Sequence, residues 1–206
     1  PHLDWKYYYN NKKLQKVETY NNGLKYGHFL EYYSTGIISK SYYFKNDLLD
    51  SVYYEFLPNG SISVEGQFSY GLKDGTWATF TEEGQLFSIG NYLNDYKEGK
   101  WKYFHKYGYI VSQGEYKTGY KNGQWRYFSN QNTIDEIGSY YNDLKDGLWG
   151  RFYFNSQLKQ EEVFNKGQLI SISDYYSITG ETMEKGDFIN GNGEVIDYYE
   201  NGKIFS

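Results

Sequence analysis

Residues 99–122 read GKWKYFHKYGYIVSQGEYKTGYKN, and residues 123–146 read GQWRYFSNQNTIDEIGSYYNDLKD. The two segments carry glycine, Trp, an aromatic residue, an aliphatic residue and another aromatic residue at matching places, 24 residues apart. A fixed period in the twenties is typical of stacked supersecondary units. The period therefore predicts a repeat architecture, in which function usually resides in an extended surface and not in a single catalytic pocket.

The same five positions recur along most of the chain as columns. The Trp column contains Trp77, Trp101, Trp125 and Trp149, and the same step backwards reaches Tyr53, Phe29 and Trp5. The second aromatic column includes Phe80, Phe104, Phe128 and Phe152, and the aliphatic column includes Leu86, Ile110, Ile134 and Leu158. The fourth column includes Tyr92, Tyr116 and Tyr140, and the Gly column contains Gly75, Gly99, Gly123 and Gly147. These positions are predicted to hold the repeats together.

Glycine and Asp-Gly or Asn-Gly pairs punctuate each unit, and such pairs are favoured in turns that need positive φ. Each repeat is therefore predicted to be two short strands with a turn after each. The composition agrees, with 27 Tyr, 13 Phe, 23 Gly and only 2 Pro. We expect an all-β, elongated antiparallel β-hairpin-repeat sheet with about eight repeats of 24 residues and no helix of note. It forms a single domain over 1–206, beginning and ending inside a repeat.

The facing of the columns stays open at this stage. The Trp and second aromatic columns lie three residues apart, so in a regular strand they point to opposite faces. Either both faces of the sheet carry aromatic residues or a bulge intervenes.

Residues 114–125, GEYKTGYKNGQW, resemble MORN repeats, and in particular the bacterial MORN variant of the YwqK group; residues 198–203, YYENGK, resemble it too. The resemblance covers essentially the whole chain. It implies a MORN-like hairpin fold without a catalytic motif. Bacterial members are commonly labelled antitoxins, whereas eukaryotic MORN proteins are linked to phospholipid contact and scaffolding. Asp47, Asp95 and Asp143 depart from the glycine at the position of Gly119, and Ser51 and Ser171 replace glycine in the Gly column, which leaves the local turn geometry open.

Catalytic and metal chemistry finds little support. The three histidines, His2, His28 and His105, occupy different repeat positions and lack ligand spacing, and the chain has no Cys. Adjacent acids, such as Glu82 and Glu83, are interpreted as solvated surface and not as an acid–base pair. We therefore predict a protein that is not an enzyme and that needs no metal and no cofactor.

The net charge of −5 comes without a basic run, which argues against nucleic-acid binding and against attraction to anionic membranes. A protein partner is favoured, because the surface is long and rich in Tyr. The candidate contact residues are Tyr7, Tyr103, Tyr127 and Tyr175. They share one repeat position at which other repeats have Glu31, Glu55, Thr79 or Arg151, so the stack does not demand an aromatic residue there, and Tyr is common in binding hot spots.

The leading hypothesis is thus a protein-binding repeat scaffold, and the resemblance narrows it to an antitoxin or immunity protein that neutralises a toxin by direct binding. A cell-wall or glycan-binding surface protein is one alternative, and a membrane-associated scaffold is another. The cytoplasm is the favoured location. The cell envelope or secretion stays open because the chain starts at Pro1, as a processed N-terminus would.

Overall fold

The computed structural model describes residues 2–205, without the side chain of His2. The predicted all-β fold of antiparallel hairpin repeats is confirmed: the described residues form eighteen strands and no helix. They divide into two compact units, one with residues 1–99 and 104–108 and the other with residues 100–103 and 109–206. The single domain over 1–206 stays a prediction.

The first unit is an antiparallel meander in which β1, β2 and β4 to β9 pair in chain order, and β3 pairs with β2. Its strands are β1 (His2–Tyr8), β2 (Leu14–Asn21), β3 (Leu24–Lys25), β4 (Gly27–Tyr32), β5 (Ile38–Lys45), β6 (Leu48–Phe56), β7 (Ile62–Ser69), β8 (Leu72–Phe80) and β9 (Leu86–Leu93). The next strand, β10 (Tyr96–Phe104), contributes residues to both units.

The second unit repeats this meander from β11 to β16 and ends with a separate two-stranded hairpin of β17 and β18. Its strands are β11 (Ile110–Lys117), β12 (Tyr120–Phe128), β13 (Ile134–Tyr141), β14 (Leu144–Phe152), β15 (Leu158–Asn165), β16 (Gln168–Ile172), β17 (Tyr175–Tyr176) and β18 (Thr182–Met183).

One kind of hairpin turn has two central residues, both with positive φ. The central pairs are Asn22 and Gly23, Asn46 and Asp47, Tyr70 and Gly71, Asn94 and Asp95, Thr118 and Gly119, Asn142 and Asp143, and Lys166 and Gly167. Residues that flank a pair face each other in register, as Lys45 and Leu48 do. Positive φ at both positions of a two-residue loop is the type I′ turn, whose twist matches that of the strands.

The second position of these turns alternates between glycine and aspartate, which explains the departures from glycine noted in the sequence. The Asp47 carboxylate accepts a hydrogen bond from the Lys25 backbone N–H of the preceding hairpin at 2.8 Å, and Asp143 accepts one from Lys121 at 2.6 Å. At two of the glycine turns a Leu of the preceding hairpin takes the space: a Cβ on Gly71 would lie 3.5 Å from Leu48, and one on Gly167 would lie 3.3 Å from Leu144.

The other hairpin turn closes the far end of each repeat and uses one residue with positive φ. In the example at Gly36, its N–H donates to the Tyr33 carbonyl and the Tyr33 N–H donates to the Ile37 carbonyl. Gly36, Gly60, Gly84, Gly108 and Gly180 hold this position, and Lys12, Asn132 and Ser156 adopt the same positive φ.

The Gly column lies elsewhere than the sequence suggests. Gly75 has φ of +70° but lies inside β8, four residues after the turn at Tyr70 and Gly71. Across the sheet, Glu65 pairs with Ala78 and Gln67 pairs with Asp74, so Gly66 faces three residues of β8. Asp-Gly in this protein therefore marks a bulge, which also uses positive φ, and not the hairpin turn.

Candidate binding surfaces

One face of the sheet is organised around the Trp column. A Cβ on Gly138 would lie 2.1 Å from the Trp149 ring, and a Cβ on Gly114 would lie 2.2 Å from the Trp125 ring. The indole N–H of Trp149 donates to the Ser139 carbonyl at 3.0 Å, next to the bulge. Each of these indoles therefore packs flat on a glycine of the preceding strand, and the four Trp from Trp77 to Trp149 are at most 4% exposed.

The fourth column fills the spaces between the indoles. Tyr140 makes edge contacts with both Trp125, at a centroid distance of 6.1 Å, and Trp149, at 4.9 Å. We call the stacked rings of the Trp column and the fourth column, with the rings packed between them, the ladder. The lysine of each Lys-Asp-Gly or Lys-Asn-Gly segment lies over the ladder. Lys121 Nζ lies 4.4 Å from the Trp125 ring and Lys145 Nζ lies 4.2 Å from the Trp149 ring, which are cation–π distances.

The predicted contact residues Tyr103 and Tyr127 belong to this ladder. Tyr127 stacks between Trp125 and Trp149 at centroid distances of 6.3 and 6.4 Å, and its hydroxyl lies 2.9 Å from that of Tyr140. Burial and this hydrogen bond raise the pKa of Tyr127, so the hydroxyl stays protonated at neutral pH. Tyr103 stacks on Trp101 and Trp125. Both rings thus stabilise the stack. The sequence did not indicate this role, because the residue type at this position differs between repeats.

Tyr7 and Tyr175 lie in different surroundings. Tyr7 is 41% exposed on β1 and donates a hydrogen bond to Glu18 at 3.0 Å. Tyr175 is fully buried, and its hydroxyl donates to Asp197 at 3.0 Å. A contact role for the exposed Tyr7 and the half-buried Tyr103 and Tyr127 stays a prediction. At Tyr175 the ring has no accessible surface, so the aromatic residue there belongs to the core.

The second aromatic column lies on the opposite face from the Trp column. A Cβ on Gly150 would lie 2.9 Å from the Phe152 ring and 3.8 Å from Ile137, so these residues share the face turned away from Trp149. The bulge at this end of the repeat places its extra residue on the partner strand, because Arg151 pairs with Gln160 and Phe152 pairs with Leu158. Both faces of the sheet therefore carry aromatic residues.

A feature that the sequence reasoning missed is a row of exposed apolar side chains directly after the type I′ turns. We call the four members in the first unit the turn row. They are Leu24, Leu48, Leu72 and Tyr96, which are between 39% and 55% exposed. The second unit has Tyr120 and Leu144 at the same repeat position, both exposed. The signal is present in the sequence as a 24-residue apolar spacing, but only the strands and turns of the structure show that these side chains are exposed.

An open groove of about 770 Å³ lies in the first unit and is lined by Tyr7, Lys16, Glu18, Glu31, Lys40 and Glu55, among others. Its carboxylates are already engaged. Glu18 pairs with Lys16 and accepts from Tyr7 and Tyr20, and Glu31 accepts from Tyr42 at 2.6 Å. Burial raises the pKa of Glu18, but these hydrogen bonds outweigh it and the pKa is lowered. The carboxylates therefore act as fixed acceptors and not as free acid–base groups.

Within residues 2–205, no group of three His, Cys, Asp or Glu side chains is arranged to hold a metal ion. The described part of the chain also contains no helix with the length and apolar character that a bilayer span requires.

Comparisons with known proteins agree with this architecture. The family model described as MORN repeat variant matches residues 1–22, 73–94 and 192–206. These segments are similar to MORN repeats, whose fold is that of a repeat scaffold and not of a known enzyme family. No curated protein matches the chain.

Among solved structures, the chain is similar to one described as "Crystal Structure of TcdB2-TccC3-Cdc42", with 10% identity and a TM-score of 0.18. The match covers 88% of this chain and 12% of that one. At this TM-score the likeness carries no argument about fold or function.

Proposed function

We propose that this protein is a non-enzymatic repeat scaffold that binds a protein partner along the turn row of its first unit. The observation that supports this most is the regular exposure of Leu24, Leu48, Leu72 and Tyr96, one apolar side chain per repeat. Successive members lie two strand spacings apart, so they follow one another at about 10 Å. A patch of exposed apolar side chains on a protein surface commonly marks an interaction site.

The hairpin itself does not require an apolar residue at this position. In the later repeats the equivalent residues are Gln168 and Asn192, and Gln168 still pairs in register with Asn165. Leu48 packs on Gly71 of the next hairpin, where a Cβ would lie 3.5 Å from its side chain, but 46% of its surface stays exposed. The apolar residues of the turn row are therefore best explained by a partner.

The finer form of the proposal is that the partner is a toxin and that binding neutralises it, as the resemblance to antitoxin-labelled MORN variants suggests. The net charge of −5 would favour encounter with a basic partner, because complementary charge accelerates association.

The test is co-purification of the protein with candidate toxins encoded beside its gene, followed by a neutralisation assay. In a Leu48→Gln and Leu72→Gln double variant, which copies the natural Gln168, we expect loss of toxin binding with an unchanged melting temperature. Val52→Gln is the matched control, because Val52 is 48% exposed in the same unit but lies outside the turn row. Binding to cell-wall polysaccharide or liposomes in place of protein, or equal binding by the double variant, would contradict the proposal.

A further inference from the structure

A second open groove, of about 560 Å³, lies in the second unit and is basic although the protein as a whole is acidic. Its lining includes Lys100, Lys102, Arg126, Gln113 and Gln124, and Glu115 is the one acid among the lining residues. Arg126 and Gln113 face each other directly in the register of β11 and β12. We call this the basic groove.

The cations of the basic groove are not used to hold the fold together. Within residues 2–205, none of Lys100, Lys102 and Arg126 forms an ion pair, in contrast to Arg151 and Lys145, which do. Lys100 and Lys102 are exposed. Arg126 is positioned by a hydrogen bond from Nη2 to the Gln124 amide oxygen at 2.8 Å, while its buried Nε–H has no partner in the described residues.

Nor does the repeat demand basic residues here. The positions equivalent to Lys102 and Arg126 in other repeats hold Lys6, Leu30, Tyr54, Ala78, Gly150 and Asp174. The same column of the sheet therefore accepts aliphatic, aromatic and glycine residues. Three neighbouring cations without carboxylate partners repel one another, and an external anion would relieve that repulsion.

We propose that the basic groove binds a short acidic segment of a protein partner, which offers two or three carboxylates to Lys100, Lys102 and Arg126. The argument is charge complementarity, and the inference rests on the proposed scaffold function. Arg presents a fork that matches a carboxylate, and the two glutamines add amide donors. Nucleic acid fits less well, because its binding needs phosphate contacts along an extended track and the rest of this protein carries net negative charge.

The experiment is a fluorescence-anisotropy titration of the full chain with a fluorescein-labelled hexaglutamate peptide. We expect saturable binding that weakens between low and moderate salt. Charge reversal in a Lys102→Glu and Arg126→Glu double variant should weaken binding by about tenfold or more. The matched control is Lys6→Glu with Lys203→Glu, which makes the same change in net charge outside the groove. Arg126 is half-buried, so charge reversal there could unfold the chain. Arg126→Gln, which removes the charge without reversing it, is therefore the second variant.

Two results would overturn the inference: absence of hexaglutamate binding, or equal binding by the groove and control variants. Stronger binding of inorganic phosphate or of an oligothymidylate than of hexaglutamate would also overturn it, since the ligand would then be a phosphate group. The scaffold function is tested separately by the turn-row variants. If those abolish toxin binding while groove variants retain it, the groove inference fails and the scaffold function stands.

Discussion

At the scale of single residues, the aromatic face depends on glycines that occupy no turn. Gly66, Gly114 and Gly138 lie beneath Trp77, Trp125 and Trp149, where any Cβ would overlap the ring. The indole then gives its N–H to a carbonyl exposed by the adjacent bulge, at 3.0 to 3.1 Å. Each of these glycines is thus paired with a Trp on the following strand: the Trp ring needs a residue without a side chain beneath it, and the glycine leaves that space for the ring.

The substitution Gly138→Ala tests this pairing. Its Cβ would lie 2.1 to 2.4 Å from atoms of Trp149, so the indole must leave its seat. We expect a loss of about 3 kcal/mol in the free energy of unfolding, as in overpacked cores, together with a changed Trp emission. Chemical denaturation monitored by fluorescence measures both.

The control is Gly147→Ala in the next strand. Gly147 has φ of +76° but open space around it, so only backbone strain opposes the methyl group. The expected cost is about 1 kcal/mol, without a change in Trp emission. Equal costs at Gly138 and Gly147 would show that the indole does not rest on Gly138.

At the scale of the hairpin, the sequence predicted two strands in each repeat but not the position of every turn. The turns around Gly36 and Gly60 were found because glycine marks them. The type I′ turns were missed because Tyr70, Thr118 and Lys166 adopt positive φ there, which such residues seldom do. The Asp-Gly signal drew attention to the bulge instead, since a bulge and a turn make the same demand on φ.

The candidate surfaces were predictable to a smaller extent. The position of Tyr127 holds Glu or Thr in other repeats, which suggested that the stack does not need it. In the structure, however, Tyr127 stacks between the indoles of Trp125 and Trp149. Conversely, the turn row follows the repeat faithfully and yet is exposed. Periodicity reports equivalence between repeats, and only the register of the strands reveals which equivalent residues meet solvent.

Ser156→Gly should stabilise its hairpin. Ser156 has φ of +67° at a turn position where other repeats have glycine, so the substitution removes left-handed strain that exceeds the added flexibility of the unfolded chain. We expect a gain of about 0.5 kcal/mol, measured as a higher melting temperature. Ser34→Gly, at a turn residue without positive φ, provides the comparison and should be neutral or destabilising; a gain there of the same size would refute the strain argument.

At the scale of the whole chain, the repeat ends in a charged network and not in another Trp. Ser173 occupies the Trp column, and Tyr175 and Tyr198 form the last buried aromatic pair, with centroids 4.8 Å apart. Asp197 pairs with Arg151 at 2.7 Å, across 46 residues of sequence, and accepts from Tyr175. These contacts fasten the C-terminal residues to the strands of the second unit.

This network makes the free energy of unfolding depend on pH in the acid range. Burial raises the pKa of Asp197, but hydrogen bonds from Arg151, the Tyr198 N–H and Tyr175 outweigh burial, and the pKa is lowered. A lowered pKa in the folded state means that the contribution to stability is complete above the unfolded pKa of about 3.9 and is lost as the pH falls through the folded value.

Asp197→Asn should therefore lower the melting temperature at pH 7, and the difference from the wild type should shrink below about pH 4. The melting temperatures of the variant and the wild type, measured by thermal unfolding at about six pH values between about 2.5 and 7, test this expectation. Asp4→Asn, at an exposed position of β1 outside the network, serves as the control and should follow the wild type throughout. A difference at Asp197 that stayed constant down to the lowest pH would rule out the linkage.

The alternation of glycine and aspartate in the type I′ turns has a consequence for how such a protein gains or loses length. Asp143 bonds back to Lys121, and Leu144 packs forward on Gly167, so neighbouring hairpins meet in two different ways in turn. Duplicating or deleting 24 residues would set two like turns side by side, leaving either a backbone N–H without its carboxylate or a leucine against a Cβ. Recombination in steps of 48 residues preserves both junctions, so the heritable unit of this fold is a pair of repeats.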